Sequence, residues 1–468
     1  ASGDTLTGGS GADSFMGFAG ADTLTGGGGV DTIILTATSA TLNTATDAQL
    51  TTIEAISASG AAGAVNITLT AQTEGFSITG GASADTLTGG SGDDSFLGFA
   101  GADTVTGGVG TDTLVLTATS TALNTATDAQ VVTVEAVSAV SAAAAVSITL
   151  TAQTEGFSIT GGASGDTLTG GSGDDSFLGF VGADTVTGGV GTDAIILTAT
   201  SADLNSANDA QLVTVEAVSA AGAAGAVSIT LTAQTEGFSI TGGASGDTLT
   251  GGSGADSFMG FVGADTVTGG VGADTIILTA TSDDLNSAAD NQLVTVEAVS
   301  ASGATDAVSI TLTAQTEGFS ITGGASGDTL TGGSGNDSFM GFVGADTVTG
   351  GVGTDTIVLT ATSATLNAAA DTQLVTVEAV SAAGAAGAVS ITLTAQTEGF
   401  SITGGASGDT LTGGSGSDSF LGFAGADTVT GGGGVDTIIL TATSDDLNSA
   451  ADGQLVTVEA VSAASAGS

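Results

Sequence analysis

Seven residue types are missing from this chain: lysine, arginine, histidine, proline, cysteine, tyrosine and tryptophan. Without a basic side chain, none of its 49 carboxylates can form a salt bridge within the chain, and a net charge of −49 stands unopposed. Packing such groups together raises their pKa values or drives the chain apart, so bound divalent cations are the simplest remedy. Nucleic acid is not expected as a partner, because phosphate binding rests largely on Lys and Arg. Attraction to an anionic membrane surface fails for the same reason. Losing His and Cys removes the usual zinc, copper and iron–sulfur ligands. Losing Lys, Arg and Tyr as well strips away most acid–base and nucleophilic machinery, which disfavours an enzyme. Carboxylate pairs could still support glycoside hydrolysis, but the near-copies described below offer no single distinct cleft. Zero cysteine fits a secreted protein that uses metal in place of disulfides. No cationic signal-peptide start is found, and no apolar run of about 18 residues that could insert in a bilayer. The chain starts without Met and stops part-way through a repeat, so it reads as an excerpt of a longer polypeptide.

What remains is rich in glycine, with 79 residues, and 41% apolar, enough to bury a continuous core. High charge alone therefore does not make it a disordered chain. Self-comparison reveals one period. The aspartate before Ser-Phe recurs as Asp13, Asp94, Asp175, Asp256, Asp337 and Asp418, always 81 residues apart. The copies run 1–81, 82–162, 163–243, 244–324, 325–405 and 406–468, the last cut short. No linker separates them, so they read as one continuous solenoid in which each unit docks on the next in the same way.

Each copy divides in two. In the second, Gly80 to Val115 holds four nonapeptides with strand cores Thr86-Leu87-Thr88, Ser95-Phe96-Leu97, Thr104-Val105-Thr106 and Thr113-Leu114-Val115. Period-two alternation points Leu87, Phe96, Val105 and Leu114 inward. One large inward residue per nine suits a thin roll of two facing sheets, 18 residues to a coil. From Leu116 to Thr160, Val/Ile/Thr-rich runs predict strands over Val132–Val137, Val146–Thr151 and Phe157–Thr160. The run Ala122–Asp128 reads as one helical turn or a longer loop. Two coils of 18 and two of about 22 residues fill the repeat; at roughly 4.8 Å per stacked strand, six copies predict a rod on the order of 115 Å long.

Two of the four nonapeptides, Gly89-Gly90-Ser91-Gly92-Asp93-Asp94-Ser95-Phe96-Leu97 and Gly107-Gly108-Val109-Gly110-Thr111-Asp112-Thr113-Leu114-Val115, read G-G-x-G-x-D-x-U-x, with U a large apolar residue. These residues resemble the RTX family of secreted calcium-binding repeats. The 45-residue remainder is more loosely similar to segments of large RTX surface and S-layer proteins. The resemblance implies an all-β, right-handed parallel β-roll or β-solenoid with calcium held between the turns of successive coils. It also implies type I secretion through a C-terminal signal.

The chemistry of the turns agrees. Calcium takes six to eight oxygens from carboxylates and carbonyls, whereas magnesium demands a tighter octahedron. Glycines let a turn present its carbonyls inward. Turns 18 residues apart stack on one edge, where one ion can bridge them. The best candidate ligands are the full-match pairs Asp13/Asp31, Asp94/Asp112, Asp175/Asp193, Asp256/Asp274, Asp337/Asp355 and Asp418/Asp436. On the opposite edge stand Asp22, Asp85/Asp103, Asp166/Asp184, Asp247/Asp265, Asp328/Asp346 and Asp409/Asp427. There Ser83 and Phe99 replace motif glycines in the second copy, which puts the carbonyl cradle of that edge in doubt.

Asp93 varies to Ala12, Ala255, Asn336 and Ser417 in other copies, so it reads as solvent-facing and not as a ligand. Asp128, Glu135 and Glu155 read as a solvated outer face, with an extra calcium site or a calcium-bridged contact between rods as the sharper alternative. Phe96, Phe99 and Phe157 read as core, with Phe99 alone placed where it could serve as an aromatic platform for sugars.

These features point to an extracellular calcium-dependent structural array: a filament, surface layer or adhesin stalk. Its expected partners are its own copies, head-to-tail or sideways, and cell-surface polysaccharide. Ice binding is the runner-up, because Thr86-x-Thr88 and Thr104-x-Thr106 make a threonine array two rungs high. A calcium-dependent secretion or folding module of a larger effector is the third reading.

Overall fold

A computed structural model describes residues 3–463. It divides into two compact units, Ala1–Gly222 with Ile229–Phe238, and Ala223–Ser228 with Ser239–Ser468. Each unit is a parallel β-solenoid of short strands, most of them three residues long.

The second copy shows how a unit is built. Ser95–Leu97, Thr113–Val115, Ala136–Ser138 and Ser158–Thr160 stack in parallel register on one face. Their first residues advance by 18, 23 and 22 positions, and Ser158 leads to Ser176 of the third copy after another 18. Two short and two long coils thus make one repeat. Within the first unit this ladder runs unbroken from Ser14–Met16 to Ala217–Ser219; within the second it runs from Ser239–Thr241 to Ala460–Ser462.

The opposite face is built in blocks. Asn66–Thr68, Thr86–Thr88, Thr104–Thr106 and Val131–Val132 form one four-stranded sheet, and Ser147–Thr149 begins the next. At that start no strand lies beneath Ser147–Thr149. The Asn124 side chain stands in for one: its Nδ2 donates to Ser147 O at 3.0 Å and its Oδ1 accepts from Thr149 N at 2.9 Å. Asn286 and Asn367 make the same pair of bonds in their copies. A primary amide carries the donor and acceptor of a peptide group, which is why one side chain can finish a sheet edge. Stacked threonines also reach further than two rungs: Thr149, Thr169 and Thr187 align in one column before Val213 ends it.

The core is one layer of large residues between the faces. Leu87, Phe96, Val105, Leu114, Val137, Ile148 and Ile159 are all buried, as the alternation requires. Phe99 is 4% exposed and therefore core, which removes it as a platform for sugars.

Two local expectations change. The run predicted as a strand over Val132–Val137 is two strands, Val131–Val132 and Ala136–Ser138. Between them Thr133 takes φ 48°, and its hydroxyl accepts from Gly108 N at 2.9 Å. A β-branched residue disfavours that conformation, so the contact with the coil below overrides local strand propensity. The run Ala122–Asp128 is helical only in part, with 3₁₀ turns at Leu123–Thr125 and Asp128–Gln130. The first becomes an α-turn at Ala202–Asn205, Asp283–Asn286 and Asp445–Asn448, where a serine N-cap accepts from the amide three residues on.

Candidate metal centre

The glycine turns dictate where the aspartates go. On the full-match edge, Asp94 Oδ1 accepts from Phe76 N in the coil below, and Asp94 Oδ2 accepts from Gly90 N of its own turn, at 2.7 and 2.8 Å. Asp112 Oδ1 in turn accepts from Asp94 N at 2.7 Å. The result is a ladder in which each carboxylate holds the amide one coil beneath. It recurs in the later copies, for example Phe157–Asp175–Asp193 and Phe400–Asp418–Asp436. On the opposite edge Val65 N donates to Asp85 and Asp85 N donates to Asp103, both at 2.8 Å.

Every predicted aspartate is buried except Asp13, which is half-buried. No basic residue lies anywhere to balance them. Burial accordingly pushes the Asp112 carboxyl up to about 6; the bond from Asp94 N–H opposes the shift, while Asp94, Glu135 and Asp93 add to it. Asp94, Asp175, Asp337 and Asp418 shift upward for the same leading reason. Across the roll, burial raises Asp103 and takes Asp184, Asp265, Asp346 and Asp427 to about 6.

The two edges differ in their carbonyls. Beside Gly89, a Cβ would collide with Asp94 Oδ2 and with the carbonyl oxygen of Gly107 from the next coil. Gly170, Gly251, Gly332 and Gly413 show the same convergence of carboxylate and carbonyl. Glycine is required there by close approach, because the space a side chain would fill is lined by oxygen. Beside Gly80 on the other edge only Asp85 Oδ2 approaches, at 2.6 Å, with no carbonyl of the next coil. That edge keeps the carboxylate ladder, but its carbonyls gather at other glycines: a Cβ on Gly165 would collide with the carbonyl oxygen of Gly182 from the next coil. Among the described residues no three carboxylates gather at one point, so an ion here must complete its shell with backbone carbonyls and water. A donor set of carboxylates and carbonyls, all hard oxygens, fits calcium.

Several residues act differently from their sequence reading. Asp93 is exposed, as expected, yet its Oδ1 accepts from Thr111 N of the next coil at 2.8 Å. Asn336 and Ser417 keep that acceptor for Thr354 and Val435. Glu135 lies between strands instead of within one, and its Oε2 accepts from Asp112 N at 2.7 Å, continuing the ladder beyond the last nonapeptide. Asp128 ties coils together by accepting from Thr154 N at 2.9 Å. In sequence, the only signal for Glu135 and Asn124 was their recurrence in all six copies.

Among the described residues no helix is long and apolar enough to cross a membrane. Comparison of the whole chain with curated proteins gives no match. The family scan matches the RTX calcium-binding nonapeptide repeat over residues 1–33, 79–114, 160–195, 241–276, 322–357 and 403–438, the segments that carry the turns described above. The six glycine-rich blocks of this chain are RTX calcium-binding nonapeptide repeats.

Proposed function

We propose that this chain is a calcium-folded structural module of an extracellular assembly, with the aspartates of both turn edges as its ligands. The observation that carries the reading is the buried carboxylate ladder in a chain with no cation of its own. The full-match edge, Asp94 and Asp112 with the Gly107 carbonyl in the second copy, is the stronger candidate; on the edge of Asp85 and Asp103 no carbonyl is among the atoms nearest Gly80, where the Asp85 carboxylate approaches. Bound calcium supplies positive charge and bridges one coil to the next. Because the ligands converge only in the folded chain, binding free energy becomes folding free energy. The residues themselves fix the geometry: backbone amides hold each carboxylate from below, and glycines keep the cradle open.

The near-identity of the copies supports a role in extending a filament, surface layer or stalk. Contacts between two such polyanions need a bridging cation, so calcium also suits self-association. Circular dichroism in excess chelator is expected to lose the strand signal and regain it on calcium addition. Electron microscopy is expected to show ordered assemblies with calcium and none without it. Full strand content in chelator would sink the folding role; monomers at saturating calcium would sink the assembly role. The three-rung threonine columns support ice binding as the second reading, for which thermal hysteresis of the calcium-loaded chain is the test.

A further inference from the structure

Asp112 Oδ2 is buried and has no hydrogen-bond partner, and so are the matching oxygens of Asp31, Asp193, Asp274, Asp355 and Asp436. Each belongs to the last turn of its glycine-rich block, just below the longer coil. A lone ionised oxygen in that position is costly unless something positive meets it. Facing it is a second oxygen from outside the nonapeptides. A Cβ on Gly107 would collide with both Asp112 Oδ2 and the carbonyl oxygen of Thr133, and the same holds at Gly26, Gly188, Gly269, Gly350 and Gly431.

That carbonyl is aimed by strained backbone. Thr133 has φ 48°, and Thr52, Thr214, Thr295, Thr376 and Thr457 lie between 47° and 50°. Non-glycine residues hold such angles only where the surroundings over-determine them, and such strain clusters at functional sites. Two residues further on, Glu135 brings a second carboxylate against Asp112, bonded through Asp112 N. Equivalent bonds join Asp31 to Glu54, Asp193 to Glu216, Asp274 to Glu297, Asp355 to Glu378 and Asp436 to Glu459.

We infer that each copy carries one calcium site at this junction, formed by Asp112 Oδ2 of the last nonapeptide and the Thr133 carbonyl, with the Glu135 carboxylate beside them, the last two lying beyond the residues that match the RTX repeat. It rests on the calcium reading above and extends it to ligands that no nonapeptide contains. Two carboxylates and a carbonyl are hard donors, which suit calcium over softer metals. The site would bind the glycine-rich block to the longer coil, where the motif itself runs out. The competing occupant is a proton, which would let a neutral Asp112 donate to Thr133 O.

Equilibrium dialysis of the full chain with radioactive calcium at pH 7.5 separates the cases. Replacing Glu54, Glu135, Glu216, Glu297, Glu378 and Glu459 by Gln keeps the acceptor for the aspartate amide but removes the charge. Loss of about six ions per chain, or a tenfold or greater weakening of that many, is expected from one site per copy with charge-driven affinity. The matching change at Glu74, Glu155, Glu236, Glu317 and Glu398 should leave the count unchanged. If the sixfold variant does not fold, the single Glu135→Gln chain serves, read by hydrogen exchange. Calcium-dependent protection should fall at the peptide around Thr133 and persist at the one around Thr295 in the same molecule. An unchanged count, or unchanged protection at Thr133, overturns the junction site and leaves the RTX sites standing. A wild-type chain that binds no calcium overturns both.

Discussion

Acid should partly replace calcium. The carboxyls of Asp112, Asp184, Asp265, Asp346 and Asp427 rise from an ordinary 3.8 to about 6 in the metal-free fold, chiefly through burial. Their folded pKa lies above the unfolded one, so the metal-free fold binds more protons than the unfolded chain. Their contribution to stability is complete below about 3.8 and is lost as pH rises through about 6. Integrated, the penalty at pH 7.5 is about 3 kcal/mol per group, and at pH 5.0 about 1.6 kcal/mol. Halving the difference for screening by nearby solvent leaves about 0.7 kcal/mol per group, or about 3 kcal/mol over the five. That is on the order of a hundredfold in the folding equilibrium. The assay is far-ultraviolet circular dichroism in excess chelator, titrated from pH 7.5 to 5.0. Strand signal should grow on acidification. With calcium bound the sign reverses, since protons compete for the ligands, and stability should fall over the same window. A metal-free chain whose strand content is flat, or falls, between pH 7.5 and 5.0 would refute the reasoning.

Two further outcomes follow from the turns and sheet edges. Replacing Gly8, Gly89, Gly170, Gly251, Gly332 and Gly413 by Ala places a methyl between carboxylate and carbonyl, so the calcium midpoint of folding should rise roughly tenfold or more; Gly60, Gly222, Gly303 and Gly384, which have open space, should tolerate Ala, and equal midpoints for the two sets would show that the cradle is not the binding site. Replacing Asn124 by Leu leaves Ser147 O and Thr149 N without their partner, costing about 2 kcal/mol; exchange of the Thr149 amide in the calcium-loaded chain should quicken about 30-fold, and an unchanged rate would mean that water serves equally well.

Much of this architecture was legible in the residues. Leu87, Phe96, Val105 and Leu114 alternate with small polar neighbours, and that pattern alone places them in the core. Four coils per repeat followed from counting, and the glycine spacing separated two edges whose turns differ: a carboxylate and a next-coil carbonyl converge beside Gly89, whereas no carbonyl is among the atoms nearest Gly80. What escaped was set by contacts between coils. Strand propensity joined Val132 to Val137, but the Thr133 hydroxyl reaches Gly108 and turns the chain there. Nothing local marks Asn124 as a substitute strand or Glu135 as the next rung of the aspartate ladder, because both roles exist only once a coil lies against them. The exposed Asp93 showed the reverse: Asp, Asn and Ser share an oxygen that takes the Thr111-type amide, and the copies with Ala12 and Ala255 do without it.

The asymmetry between the two faces has a mechanical consequence. Within each unit one ladder is continuous, and the other is interrupted once per repeat where Asn124 and its counterparts meet the next block. Bending that compresses or stretches the continuous face must strain hydrogen bonds along its whole length. Bending that opens the segmented face concentrates the strain at a few side-chain amides, which can part and re-form. Each unit should therefore flex toward one side more readily than the other, with a compliant seam every 81 residues. Changing the Asn at one seam would tune that stiffness without touching a single metal ligand.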